Sequence, residues 1–271
     1  MGSAPVQATL WGRDARTWST EMEPQMGPLY DATLDALAPL AGLRLLDAGC
    51  GAGLALRKAA DRGAAVAGLD ATPALLEVAA GRVPDADLRV GDIDALPYQD
   101  RAFDVVTAFN AIQYAVDPAQ AVRELARVCR PGGRVAIGVW GDPERCETEA
   151  LFARLRSLAP PPPGTPAPLA CSAPGVVEEL LEKAGLRVVD GGETSCPFVF
   201  RDLDHAWTAH TSAGPPQKVI DMAGPDATRA VLDTVLEADR KPDGALRQDN
   251  VFRYVIAVVN DVDNDVDNAE L

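Results

Sequence analysis

The sequence predicts an α/β fold, a doubly wound and mainly parallel sheet with helices on both faces. Three observations predict it. From residue 43 onward, short apolar runs alternate with helical segments, and strands and helices alternating at these lengths form right-handed βαβ units. A glycine-dense turn, Gly49 to Gly53, directly follows the first apolar run. Apolar residues make up 47% and charged residues 24% of 271 positions, enough to bury one large core.

Residues 1–42 read as amphipathic helices. Leu29, Leu34, Leu37 and Leu40 recur near helical spacing. Trp11, Trp18, Met22, Met26 and Tyr30 supply bulk that either packs on the domain or closes over a ligand. Leu43–Leu46 reads as the first strand and 53–61 as the helix after it. Ala65–Leu69 is the second strand, followed by a helix near 73–81, and Leu88–Val90 is the third. Phe103–Phe109 is the fourth strand. A helix from Pro118 to Cys129 is then stopped by Pro131-Gly132-Gly133, before a fifth strand at Arg134–Val139. Residues 159–175 are proline-dense and read as an extended connector. A helix over 174–184 ends at Gly185, and Leu186–Val189 and Val251–Val259 read as further strands. Between them, 202–240 reads as two or three helices punctuated by Gly214-Pro215-Pro216 and Gly224-Pro225, a long insertion placed to cover a substrate. The expected organisation is one domain over 1–259: an N-terminal helical lid (1–42), a binding core (43–140), and the remaining sheet with a substrate cap (141–259). The acidic stretch 260–271 is expected to be a solvated, disordered tail. Its alternating aspartates do not fit a calcium loop, because the sixth position counted from Asp261 is Val266, where glycine is required.

Composition narrows the functional classes. A formal net charge of −15 opposes binding to phosphate backbones, where nucleic-acid affinity mostly originates, and opposes anionic membranes equally. Five cysteines, an odd number without a C-x-x-C pair, argue against a disulfide framework and against zinc. No metal constellation is expected. The first residues lack a basic stretch followed by an apolar one, and Val251–Val259, interrupted by Arg253, is far too short to span a bilayer. The expectation is a cytoplasmic protein acting on a small molecule.

The chemistry concentrates where strands end. The first strand runs into Asp47-Ala48-Gly49-Cys50-Gly51-Ala52-Gly53. Glycines at alternate positions permit a tight turn and let a ligand lie against the backbone, and the helix that follows offers free N–H groups to an anion such as a carboxylate. Asp70 ends the second strand, 23 residues after Asp47, placed to accept both hydroxyls of a ribose. Gly91-Asp92-Ile93 ends the third; Asp92 is placed to accept from an adenine amino group while Ile93 covers the ring. Neighbouring parallel strands open onto one crevice, so these groups converge on one nucleoside. A dinucleotide reading fits less well. Counted from Gly49, the third position of G-x-G-x-x-G/A is Leu54, and counted from Gly51 it is Leu56.

With Phe103-Asp104-Val105-Val106 and Arg130-Pro131-Gly132-Gly133 added, the set resembles the class I S-adenosylmethionine (SAM)-dependent methyltransferases, most closely the bacterial small-molecule branch that includes quinone, sugar and polyketide enzymes. The motifs cover roughly 43–140; beyond them the likeness is one of layout. The resemblance implies a Rossmann-like seven-stranded sheet with a final antiparallel strand. It further implies that Asp47, Ala48, Gly49, Cys50 and Gly51 line the methionine end of the cofactor. Asp70 and Ala71 would hold the ribose, and Asp92 and Ile93 the adenine. Asn110 would bring its backbone near the sulfonium, with Gln113 close by and Trp18 as the aromatic from the N-terminal helices. An aromatic face favours such a cation by roughly 0.5–2 kcal/mol.

Methyl transfer needs alignment and exclusion of water more than acid–base chemistry. A base is required only for a protonated acceptor. The chain has two histidines, His205 and His210. Each reads as a packing or surface residue or as a base on a hydroxyl, and His210, near a helix end, is the preferred base. The segments expected to cap the site carry Leu151, Phe152, Phe198, Phe200 and Trp207 beside the N-terminal aromatics, a lining suited to an aromatic or polyketide-like acceptor methylated on oxygen. Two other readings share some of these motifs: a SAM-binding enzyme that promotes a rearrangement without transferring methyl, and an NAD-dependent oxidoreductase.

Overall fold

The computed structural model describes residues 3–160 and 169–260. Strands β1 (Arg44–Ala48), β2 (Ala65–Asp70), β3 (Asp87–Val90), β4 (Phe103–Phe109), β5 (Cys129–Trp140), β6 (Leu186–Ser195), β7 (Phe198–Phe200), β8 (Leu246–Gln248) and β9 (Val251–Val259) succeed one another along the chain. Seven form one sheet in the order β3-β2-β1-β4-β5-β9-β6, and β7 and β8 pair as a separate ribbon. β1 to β5 pair in parallel. β9 runs antiparallel to both β5 and β6. The expected Rossmann-like sheet with a late antiparallel strand is therefore present.

The helices are α1 (Ala4–Trp11), α2 (Ala15–Thr17), α3 (Gly27–Ala36), α4 (Leu54–Asp61), α5 (Pro73–Arg82), α6 (Pro118–Val128), α7 (Thr148–Leu158), α8 (Val176–Lys183), α9 (Leu203–Thr211), α10 (Gly214–Ala223) and α11 (Pro225–Ala238). They bury both sheet faces. Leu45 and Leu46 point to opposite sides of β1. Leu46 packs in a cluster with Val122 and Leu125 of α6 and Leu181 of α8. Leu45 packs with Leu34 of α3, Leu56 of α4 and Leu76 of α5. Burial on both faces is why parallel strands read as apolar runs instead of alternating.

Local signals place the ends. Asp117 caps α6 by accepting from the Ala119 N–H at 2.9 Å, with Pro118 at the first helical position. Asp104 accepts from the Arg44 N–H at 2.8 Å and from the Arg130 guanidinium at 2.5 Å. It thereby ties the starts of β1, β4 and β5 together far from the crevice.

Three expectations shift. α6 ends at Val128 and β5 begins at Cys129 instead of Arg134, because the Pro-Gly-Gly segment is accommodated as a bulge: Phe103 pairs with Cys129 and Val105 already with Arg134. Gly133 has no room for a side chain there, since a Cβ would lie 2.6 Å from the Cys129 sulfur. β6 continues to Ser195, beyond Val189, because β9 pairs with it along its whole length; Gly191 and Gly192 have low strand propensity and hid the extension. The N-terminal region is broken near Gly12, Pro24 and Gly27 into short helical pieces. Part of the proline-dense connector (161–168) and the acidic tail lie outside the described residues. No helix among the described residues is long and apolar enough to cross a membrane.

Leu46 is fully buried between β1 and α6, whereas Val90 is 59% exposed at the sheet edge. Leu46→Ala is expected to cost about 2–5 kcal/mol in chemical denaturation, against no more than about 0.5 kcal/mol for Val90→Ala.

Candidate active site

The carboxyl ends of β1, β2, β3 and β4 open into one cavity of about 170 Å³, walled on its other sides by the N-terminal segments and by residues of α7, β7, α9 and the start of α10. Its floor is the glycine turn. The N–H groups of Gly49 and Cys50 both donate to the Leu69 carbonyl, at 2.7 and 2.9 Å, clamping the end of β1 onto β2. Gly49 adopts φ +83° and a Cβ there would lie 2.4 Å from the Ala111 Cβ, so no other residue fits. Gly51, at φ +54°, faces space: the nearest atoms to a Cβ there are a Glu23 carboxylate oxygen at 3.8 Å and the Trp18 indole nitrogen at 3.9 Å. Trp18 thus stands beside the turn. It packs edge-to-face on Trp11 with ring centres 4.8 Å apart, and Trp11 in turn lies 5.8 Å from Tyr114.

Three acidic residues line the strand ends. Asp47 is buried and accepts from the Thr107 hydroxyl at 2.7 Å. Desolvation pushes its pKa up to about 7; the Thr107 bond opposes that, while the charges of Asp70 and Glu23 add to it. Asp70 accepts from the Gly51 N–H at 2.9 Å and the Thr72 N–H at 2.8 Å, so the residue expected to hold the ribose also shapes the turn. Burial raises its pKa against these bonds. Asp92 accepts from the Asp94 N–H at 3.1 Å and, from the first residue of α1, the Ala4 N–H at 3.2 Å. The N-terminal helix is therefore seated on the residue expected to read adenine.

Of the other expected site residues, Cys50, Ala71, Ile93 and Asn110 reach the cavity wall. Asn110 is held at φ +48°, a conformation rare outside glycine. Its N–H donates to the Gly138 carbonyl at 2.8 Å, and its buried side-chain oxygen has no partner among the described residues. Ala48 does not reach the cavity: its side chain is in the core. Gln113 is also behind the wall, buried, with both amide atoms lacking a partner among the described residues. The cap is narrower than expected. Phe152 and Phe198 line the cavity, whereas Leu151, Phe200 and Trp207 do not.

The two histidines separate. His205 lies in a different surface groove, its Nε2 2.9 Å from Glu21. His210 is buried on the cavity wall, and burial lowers its pKa to about 4 despite a bond to Gln248. Glu23 is absent from the residues expected from sequence. It is buried in the wall, paired with Arg82, and accepts from the first N–H of α4, that of Leu54, at 3.3 Å. Arg82 also donates to the Ala52 carbonyl at 3.0 Å and the Ser19 carbonyl at 2.6 Å, stitching the N-terminal segment to the turn. A charged residue among Met22, Pro24 and Met26 was the only available hint.

Residues 46–137 match the methyltransferase domain family model. The chain is 34% identical over 131 residues to a demethylmenaquinone methyltransferase of Renibacterium salmoninarum, covering 46% of this chain and 55% of that protein. It is 38% identical over 143 residues to a ubiquinone biosynthesis O-methyltransferase of Paracidovorax citrulli, covering 48% and 60%. The matches thus span little more than half the length of these relatives. Among solved structures, the YcgJ protein of Bacillus subtilis superposes with a TM-score of 0.63 at 20% identity, over 86% of this chain and 98% of that one, a likeness of fold. Motif order, strand order and these matches agree in marking residues 46–137 as a methyltransferase domain.

Proposed function

We propose that this protein transfers a methyl group from SAM to an oxygen of a small, largely apolar acceptor of aromatic or polyketide type. The observation that carries the reading is the single cavity with two unlike ends. One end is acidic and glycine-floored at the termini of β1 to β3; the other is lined by Met26, Phe109, Trp140, Phe152, Phe198 and His210. The residues fit the cofactor. The space over Gly51 is open where a Cβ would point, the Asn110 side-chain oxygen is an unused acceptor, and Asp47 and Glu23 supply negative charge where a sulfonium and an amino group need it. Bound SAM supplies a methyl carbon already activated by the positive sulfur.

The chain's own residues have three tasks in this reading. The Gly49–Gly51 turn and Asp47 hold the methionine end, with Ala48 contributing backbone only. Asp70 and Ala71 hold the ribose, and Asp92 with Ile93 the adenine. Cys50, Asn110 and Trp18 surround the sulfur, with Gln113 outside the cavity lining. The aromatic end orients the acceptor and keeps water out, and positioning of this kind is worth ~7–11 kcal/mol. A base with a pKa of about 4 is too weak to strip a phenol beforehand, so His210 serves as a proton receiver only as the acceptor oxygen becomes positive. We further propose that residues 1–259 act as one domain, with 1–42 as the lid.

Calorimetric titration with SAM, S-adenosylhomocysteine and NAD tests the cofactor assignment. Micromolar binding of the first two is expected, weakened at least about tenfold in Asp70→Ala, which loses a charged acceptor; binding of NAD alone would overturn the reading. A panel of phenols, enols and amines with methyl-labelled SAM tests the acceptor. Label is expected on oxygen with release of S-adenosylhomocysteine, and transfer to amines alone refutes the oxygen assignment.

Asp47 gives a pH prediction. A buried acid with a raised pKa disfavours the folded protein once ionised, so this site costs stability as pH rises through about 7. A cation bound beside it pulls that pKa back down. SAM binding near neutral pH is therefore expected to release protons and to weaken as pH falls below 7, and Asp47→Asn is expected to abolish both. Calorimetry in phosphate and Tris, which differ in ionisation enthalpy, reads the proton count.

A further inference from the structure

At the apolar end of the cavity three buried polar side chains, His210, Thr148 and Gln248, lead away from the site to the half-buried Asp239. The Gln248 side-chain nitrogen donates to an Asp239 carboxylate oxygen at 2.9 Å. A carboxylate only accepts, so Asp239 holds the NH₂ half of the amide and turns its oxygen the other way. That oxygen lies 3.2 Å from the Thr148 hydroxyl, which donates to it, and 3.1 Å from Nε2 of His210. A carbonyl oxygen also only accepts, so Nε2 must carry the hydrogen. The lone pair of the neutral ring is then on Nδ1, which has no hydrogen-bond partner among the described residues, on a side chain that lines the cavity.

We propose that Asp239 and Gln248 are positioning residues that lock His210 in its Nε2–H tautomer, so that Nδ1 faces the acceptor as a neutral hydrogen-bond acceptor and the site selects a substrate carrying an un-ionised hydroxyl. This rests on the methyl-transfer reading above and names the acceptor's chemistry within it. The surroundings point the same way. The ring is packed by Phe200 of β7, ring centres 5.1 Å apart, and bonded only to Gln248 of β8, which it shares with Thr148 of α7. Among the described residues no carboxylate or cation contacts it; Asp239, at the end of α11, bears on it only through Gln248, and Lys241 and Glu147 pair with each other. An ammonium or a phenolate brought here finds no counter-charge at His210 among the described residues, and only the positive sulfur of bound SAM would answer a phenolate, whereas a neutral hydroxyl donates to Nδ1 and is satisfied. When an oxygen lone pair forms the new O–C bond and the C–S bonding pair goes to sulfur, the hydroxyl proton passes to Nδ1. The imidazolium, disfavoured by burial, then returns it to solvent.

The test uses the full chain. It has only two histidines, and His205→Gln removes the signals of the other. Long-range ¹H–¹⁵N correlation spectra of the labelled protein are expected to give the Nε2–H pattern, unchanged between about pH 5 and 8, where an ordinary histidine titrates. A ring with hydrogen on Nδ1, or charged at neutral pH, overturns the proposal. Gln248→Glu keeps the acceptor but adds negative charge. It is expected to bring the titration, and with it the acidic limb of the pH–rate profile, up towards the ordinary value of about 6.5. An unmoved titration shows that Gln248 only fills space and overturns the positioning role. Asp239→Asn can present either half of its amide to Gln248 and is expected to yield a tautomer mixture. In Gln248→Leu, KM for the hydroxyl acceptor is expected to rise roughly tenfold, the worth of one hydrogen bond, with SAM affinity by calorimetry unchanged. Loss of SAM binding in the unaltered protein defeats the methyl-transfer reading instead, and leaves the tautomer measurement interpretable.

Discussion

The clamp between the first two strands is the constraint from which the site follows. Two N–H groups, of Gly49 and Cys50, share the Leu69 carbonyl, and the next one, of Gly51, goes to Asp70. Three successive donors are thereby directed from the turn into β2, which forces the backbone through positive φ at Gly49 and Gly51 and starts α4 directly afterwards. Everything placed around the cavity refers to this turn. Ala111 closes against Gly49, and Glu23 reaches the first N–H of α4. An aspartate at the end of β2 thus shapes the turn and lines the crevice at once.

Electrostatics explains why a site so rich in carboxylates tolerates their burial. Asp47, Asp70 and Glu23 sit within one small volume, and burial raises the pKa of each. Among the described residues only Arg82 answers them with a positive charge, and it is committed to Glu23 and two backbone carbonyls. The uncompensated charge makes the crevice favourable for a cation. Natural proteins commonly concentrate such charge at functional sites.

What was legible in the sequence was whatever is local along it. Asp47, the glycines, Asp70 and Asp92 each terminate a strand that announces itself as a short apolar run, so their convergence follows from parallel topology alone. Strand ends obscured by glycine, as at Gly191 and Gly192, or by a bulge, as at Cys129, were misjudged by several residues. The contacts that build the rest of the site join distant positions. Glu23 and Arg82 are 59 residues apart, and Thr148 and Gln248 are 100 apart. No periodicity or motif encodes such pairs, and a lone glutamine in a polar stretch gives no sign that it will be wholly buried. His210 is preferred to His205 for its place near a helix end; its depressed basicity is a property of packing that no sequence pattern carries.

Gly214 opens α10 directly against the Trp11 indole, where a Cβ would lie 2.7 Å from the ring nitrogen. Wall segments far apart in sequence, α1 and α10, thus meet where one of them has no side chain. Trp11 in turn packs on Trp18, which stands over Gly51, so that junction is linked to the strand-end half of the cavity. Phe152 and Phe198 on the far walls pack on Trp140 instead, outside that line of contacts, so exchanges there reshape the apolar half of the cavity alone, while Trp11 and Gly214 are coupled by contact and must change together.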